Sequence, residues 1–259
     1  MTGCTNSKSP SVPLAYQRRR RRAGDPLGLV FPPTCILCGA AGHDGLDLCV
    51  GCRLDLPVMG VACVRCALPL PEAVLANAGD GEPGPLCGGC RRRPPAFRRA
   101  HATFRYEQPL PALVGGLKFR GRLNTLRLMG LLLADSLARG GVERPSGIVP
   151  VPLHRGRLRQ RGYDQALELA RIAGRRLALP VLEGCCERVR ATPPQSALEG
   201  KARTQNLRGA FQVTTRLDGA HLAVLDDVVT TASTVGEVAK VLRQAGAVRV
   251  DVWCLARTP

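Results

Sequence analysis

The stretch HLAVLDDVVTTASTVGEVAKVL, residues 221–242, decides how the rest of the chain is read. Its first part, 221–226, has the continuous apolar run of a strand buried on both faces of a parallel sheet. The run closes on two adjacent acids, Asp226 and Asp227. A short loop of small hydroxyl residues follows, Thr230-Thr231-Ala232-Ser233-Thr234. A helix is expected over 234–245, with Thr234 and Glu237 spaced as a capping box. Each part has a physical task. A helix N-terminus offers unpaired backbone N–H groups and the positive end of a dipole, which suits an anion. Hydroxyls add donors, and small side chains let the backbone come close. Two carboxylates just upstream can accept hydrogen bonds from a vicinal diol. A phosphate beside a diol is one end of a phosphorylated sugar, and open parallel sheets bind ligands at the carboxyl ends of their strands. The plain alternative is an acidic turn before an ordinary capped helix.

Outward from this segment, residues 99–257 alternate between two hydrophobic periods. Strands are expected at 101–106, 147–152, 181–189, 221–226 and 247–255. Helices are expected at 113–119, 123–139, 162–178 and 234–245. Strand–helix alternation predicts an α/β domain, a parallel sheet with helices on both faces. Residues 192–209 are polar and read as a mobile loop with a helical part. Within IVPVPLHRGRLRQRGYDQALELA, residues 148–170, Arg155, Arg157, Arg159 and Arg161 form a dense set of guanidiniums. Guanidiniums match phosphate oxygens in geometry as well as charge. A solvated basic loop is the competing reading.

The front of the chain has a different character. Residues 33–95 hold four Cys-x-x-Cys pairs: Cys35/Cys38, Cys49/Cys52, Cys63/Cys66 and Cys87/Cys90. Each pair presents two thiolates from one tight turn, and two pairs supply the four sulfurs that tetrahedral Zn²⁺ prefers. Eight thiolates make two structural zinc sites, a double zinc ribbon. Sequential pairing is the simplest arrangement and interleaved pairing is the alternative. A disulfide scaffold needs an oxidising compartment, and an iron–sulfur cluster fits four evenly paired knuckles less well. His43 lies between knuckles, as a substitute ligand or a solvated loop residue. Of the other cysteines, Cys254 is expected in the core. Cys185 and Cys186 are adjacent, point to opposite faces of a strand, and should not form a ligand pair. The domains expected are a basic tail over 1–30, the double ribbon over 31–96 and the α/β domain over 99–257.

The chain carries 37 Lys and Arg against 20 Asp and Glu, a net charge of +17. Such a surface attracts polyanions. A GC-rich genome accounts for arginine in place of lysine but not for the excess of basic over acidic residues. Only 3% of residues are aromatic, so the core must be built from Leu, Val and Ala. No apolar run reaches the roughly 18–20 residues that span a bilayer, and Arg18–Arg22 is not followed by a secretory core. A soluble, cytoplasmic protein is expected.

The segment 221–242 resembles the phosphoribosyl pyrophosphate (PRPP) signature of type I phosphoribosyltransferases. That resemblance implies that Asp226 and Asp227 hold the ribose hydroxyls and that Thr230, Thr231, Ala232, Ser233 and Thr234 hold the 5-phosphate. Ala232 stands where the family has Gly; if φ is positive there, alanine costs about 1 kcal/mol or more. Three further segments, 148–170, LKFRGR at 117–122 and QSALEGKARTQNLRGAF at 195–211, together with the cysteine-rich front, resemble the ComF family of competence-associated phosphoribosyltransferase-like proteins. The likeness spans roughly 33–257. It implies a zinc ribbon before a phosphoribosyltransferase fold, and the handling of incoming single-stranded DNA in natural transformation. It also implies Mg²⁺ with PRPP, and partners among DNA-uptake proteins, a helicase included. Arg155, Arg157, Arg159 and Arg161 would face pyrophosphate, with Arg161 opening the following helix. Arg190, Gln195, Lys201 and Arg203 would belong to a mobile loop over the site. Asp164 replaces the usual Asn, adding negative charge nearby. If catalysis occurs, it is attack at the anomeric carbon of PRPP by a nitrogenous acceptor with loss of pyrophosphate; no residue announces an acceptor base.

Overall fold

A computed structural model describes residues 32–76, 84–120, 123–190 and 207–259. Its centre is a four-stranded sheet: β1 (Ala100–Arg105), β2 (Gly147–Pro150), β5 (His221–Val229) and β6 (Arg249–Arg257), in the order β1-β6-β5-β2. All three neighbouring pairs are parallel, as the alternating pattern predicts. β3 (Cys186–Arg188) and β4 (Phe211–Val213) form a separate antiparallel pair.

The apolar run of β5 shows why the sheet is covered twice. Ala223 and Leu225 face a core with Leu133, Leu137 and Leu169. Leu222 and Val224 face another with Val238 and Leu242. Side chains alternate along a strand, so a strand apolar at every position needs a helix layer on each face. α5 (Leu123–Arg139) and α7 (Gln165–Leu177) cover one face, α8 (Ser233–Gln244) the other. Gly130 lets α5 and α7 approach: a Cβ there would lie 2.7 Å from Ile172. α4 (Leu110–Arg120) precedes α5, longer than the expected 113–119.

Three expectations are corrected. The strand expected over 181–189 is only Cys186–Arg188; Val181 makes a lone parallel bridge to Ile148, and a turn with Gly184 at φ 71° breaks the run. The arginine segment is not a loop but a short helix, α6 (Arg155–Arg161), capped by Gly162 at φ 80°. Arg161 therefore closes a helix, and the next one opens at Gln165 with Asp164 as its N-cap.

The cysteine-rich front runs along the edge of the sheet. It carries α1 (Val50–Leu54), α2 (Ala73–Ala76) and α3 (Gly88–Arg92). Val58 bridges Phe104 of β1, and Arg105 donates its backbone N–H to Pro57. The ribbon region thus covers an edge that would otherwise present unpaired backbone groups. No described helix is long and apolar enough to cross a membrane.

Candidate functional site

A cleft of about 190 Å³ opens at the carboxyl ends of β2 and β5. Because these strands are neighbours, the fold sets the segment after β2 beside the acids of β5. Asp226, Asp227, Thr230, Thr231, Ala232, Ser233 and Thr234 all line it, and so do Arg157, Arg161, Asp164, Gln165 and Arg188. The acids lie within β5 rather than beyond it, since the strand extends to Val229. Asp226 accepts the N–H of Asp227 at 2.9 Å, and Asp227 that of Val228 at 2.8 Å.

The hydroxyl loop turns into α8 at Ala232. Ala232 sits at φ 60°, ψ 9°, the left-handed conformation that favours glycine, and is the N-cap of α8 with no side-chain cap bond. The expected capping box does not form, because the helix starts one residue earlier, at Ser233. Glu237 instead accepts the N–H of Gly209 at 3.3 Å. A helix start carries N–H groups and the positive end of the helix dipole, which suit an anion. Thr231 and Ser233 hydroxyls are 2.9 Å apart.

The arginines of α6 divide by helical spacing. Arg157 and Arg161, four residues apart on one face, reach the cleft. Arg155 lines an adjoining hollow and pairs with Glu187 at 3.6 Å. Arg159 lines neither. Arg190 donates to the carbonyl of Arg208 at 2.8 Å and does not line the cleft. Gln195, Lys201, Arg203 and the tail over 1–30 lie outside the described residues.

Three contributors escape sequence reasoning. Arg188, from β3, stands over the Phe211 ring at 5.4 Å; burial and then the charge of Arg157 lower its pKa. Gln165 is 3% exposed; its Oε1 accepts from Arg161 at 3.4 Å, and its buried Nε2 has no partner among the described residues. That leaves a donor at the cleft wall. Arg257, at the end of β6, is buried and donates to backbone carbonyls: Cys66 at 3.1 Å, Val229 at 3.3 Å, and Thr230. One guanidinium thus ties a cysteine knuckle to the start of the hydroxyl loop. Asp164 caps α7 through Leu167 N–H at 3.1 Å and holds Leu153 N–H at 3.0 Å. Burial raises its pKa against those bonds, and the charge of Asp227 adds to the rise.

The eight knuckle cysteines form two groups, Cys35/Cys38/Cys49/Cys52 and Cys63/Cys66/Cys87/Cys90, each with its sulfurs within 4.8 Å of one another. Pairing is sequential, and His43 belongs to neither group. Cys38 and Cys49 sulfurs are 3.6 Å apart, Cys66 and Cys87 3.7 Å. Zn–S bonds of about 2.3 Å give a tetrahedron with edges of about 3.8 Å, whereas a disulfide needs about 2.05 Å. The donor sets fit structural zinc. Backbone N–H groups stabilise the thiolates: Cys52 N–H points at Cys49 and Cys90 N–H at Cys87, both at 3.4 Å. Burial pushes the Cys35 thiol up, but backbone N–H bonds outweigh it and hold it at about 6. Cys185, Cys186 and Cys254 are buried in the core and lie outside both groups.

Residues 27–91 match the family model of the double zinc ribbon domain. The DNA utilization protein YhgH of Escherichia coli is 34% identical over 237 residues, spanning 89% of this chain and 99% of that protein. The chain belongs to the ComF family. Competence protein F of Haemophilus influenzae is 35% identical over 178 residues, covering 66% of this chain and 78% of that one. Among solved structures, a purine phosphoribosyltransferase from Pyrococcus horikoshii aligns over 52% of this ComF chain and 74% of its own, at 20% identity and a TM-score of 0.32. The hypoxanthine phosphoribosyltransferase of Trypanosoma cruzi aligns over 51% and 65%, at 17% identity and a TM-score of 0.29.

Proposed function

We propose that this ComF chain binds PRPP with Mg²⁺ in the cleft, binds single-stranded DNA through its basic surface, and acts in the handling of incoming DNA. One observation carries the PRPP reading. A carboxylate pair, a left-handed hydroxyl loop at a helix start, and Arg157, Arg161 and Arg188 line a single cleft. These are the complements of a ribose diol, a terminal phosphate and a pyrophosphate. Asp226 and Asp227 supply oxygen donors of the kind Mg²⁺ takes alongside substrate phosphates. The charge of +17 and the DNA-related names of the relatives support the second ligand.

Calorimetry with PRPP and Mg²⁺ tests the pocket. The wild type is expected to bind, and Asp226→Ala with Asp227→Ala to lose that binding while keeping both zinc ions. Unchanged affinity in the double variant would overturn the assignment.

A second reading, transfer of the phosphoribosyl group to a nitrogenous acceptor, is favoured by the adjoining hollow of about 390 Å³. It shares Pro152, Leu153, Asp164 and Arg188 with the cleft. In that reaction the acceptor nitrogen bonds to the anomeric carbon as the bond to pyrophosphate breaks. The arginines would stabilise the charge developing on the leaving group. Pyrophosphate release in the presence of candidate acceptors distinguishes turnover from binding.

A further inference from the structure

A second charged hollow, of about 570 Å³, lies at the other end of the sheet. Arg65, Arg98, Arg243 and Arg249 line it, with no carboxylate among the described lining residues. Arg249 starts β6 and Arg257 ends it, so these two arginines stand roughly 26 Å apart along the strand at ~3.3 Å per residue, while the knuckle that carries Arg65 also reaches Arg257 through the Cys66 carbonyl. Each arginine comes from a different element. Arg65 lies inside the Cys63–Cys66 knuckle. Arg98 precedes β1, its N–H bonded to Val250 at 2.7 Å. Arg243 is in the last turn of α8 and donates to the carbonyl of Val248.

Their charges are unevenly balanced. Arg249 is matched by Asp251 at 2.9 Å and by Glu143. Arg65, Arg98 and Arg243 have no acidic partner within 4.0 Å among the described residues. Holding three unmatched guanidiniums around one hollow is unfavourable in the free protein, and an anion relieves the repulsion. α8 turns its carbonyl end this way, so the helix dipole gives no help and the guanidiniums must do the holding.

We infer that this hollow is a seat for the phosphodiester backbone of single-stranded DNA, separate from the PRPP cleft. The inference rests on the DNA-binding reading above and locates it. Arginines spread over several elements around an open hollow suit successive phosphates better than one small anion. Phe97, the only aromatic among the described lining residues, is 2% exposed, so it offers no face for a base to stack on. Recognition here is of the backbone, without sequence preference and steeply salt-dependent. A single strand is flexible enough to bring successive phosphates to these arginines, whereas a duplex holds its phosphates on a rod that is stiff over roughly 150 base pairs.

The test is fluorescence anisotropy of labelled oligothymidylate on the full, zinc-loaded chain across a salt titration, with Arg98→Gln/Arg243→Gln and Arg65→Gln/Arg98→Gln as variants. Each pair is expected to weaken binding about tenfold or more. The slope of log affinity against log salt should fall by about 1.4, at ~0.7 per phosphate contact for single strands. PRPP affinity and zinc content should stay at wild-type values, which also reports that the variants fold. The first pair leaves the knuckle intact, so it alone decides the outcome if Arg65→Gln disturbs the metal. Wild-type affinity and slope in the first pair would overturn the inference, as would equal affinity for duplex of the same length. If the unaltered protein binds no oligothymidylate even at low salt, the DNA-binding reading itself falls.

Discussion

The two cysteine clusters share one donor set and differ in where the fold puts them. In the first, only Cys35 is buried and Cys38 is exposed; in the second, all four cysteines are buried. The second packs into the same core as α8, β5 and β6, and through Arg257 it touches the hydroxyl loop. The first packs into the opposite core, with Leu46, Leu48 and Leu56. Identical coordination chemistry therefore does two jobs. One donor set packs into the core on one face of the sheet, and the other into the core that also carries Val151, Val229 and Val235 of the cleft wall.

Five substitutions can break or sharpen that contrast. The largest effect is expected from Cys66→Ser beside Cys38→Ser. Structural zinc contributes roughly 10–16 kcal/mol in small finger peptides, as much as or more than the whole stability of a typical domain. Cys66→Ser should abolish cooperative unfolding and PRPP binding together. Cys38→Ser should lose one zinc ion yet keep PRPP affinity within a factor of about three. Metal analysis with calorimetry reads both, and equal damage from the two would erase the contrast.

Next is Arg257→Met, which leaves the carbonyls of Cys66, Val229 and Thr230 without this donor. Unsatisfied buried polar groups cost ~1–3 kcal/mol each. PRPP affinity should fall by about tenfold or more, ~1.4 kcal/mol, with both zinc ions retained. Full affinity in this variant would mean that the knuckle does not steady the loop.

Ala232→Gly should act in the favourable direction. Removing the Cβ at φ 60° relieves about 1 kcal/mol, a rise of ~2–4 °C in Tm, and should tighten PRPP binding. A lower Tm would show that the loop is not strained at this position. The smallest change is expected from Asp164→Asn. It removes a negative charge near Asp227 and the cleft arginines, so affinity for the polyanionic ligand should rise a few-fold, by under ~1 kcal/mol. The weakened bond from Leu153 should lower stability by about 1 kcal/mol. Weaker PRPP binding in a folded variant would contradict this.

Much of the site was legible because its parts are local. Asp226, Asp227 and the loop 230–234 are one contiguous segment, and the order strand, acids, hydroxyls, helix carries its own chemistry. The cysteine pairs were legible for the same reason, since a knuckle is a four-residue object. Less legible were features set by competition between local rules. Thr234 and Glu237 have the spacing of a capping box, but the helix begins at Ser233 and Glu237 bonds Gly209. The arginine run suggested a loop, yet Gly162 at φ 80° closes it as a helix, and the helical repeat then admits Arg157 and Arg161 to the cleft and turns Arg159 away.

By itself the sequence determined the α/β class, the sequence of elements along the β5 segment, the eight zinc ligands and the excess of positive charge. These depend on periodicity, spacing and composition, which are properties of neighbours along the chain. Only the tertiary structure decided which distant groups meet. Arg188 enters the cleft from the small antiparallel pair β3–β4, and Arg257 reaches Cys66 across 191 positions of sequence. Arg65, Arg98 and Arg243 gather around one hollow because a knuckle, a strand start and a helix end converge there. Such contacts are set by strand order and by the packing of the ribbon on the sheet, and no local pattern in the sequence encodes either.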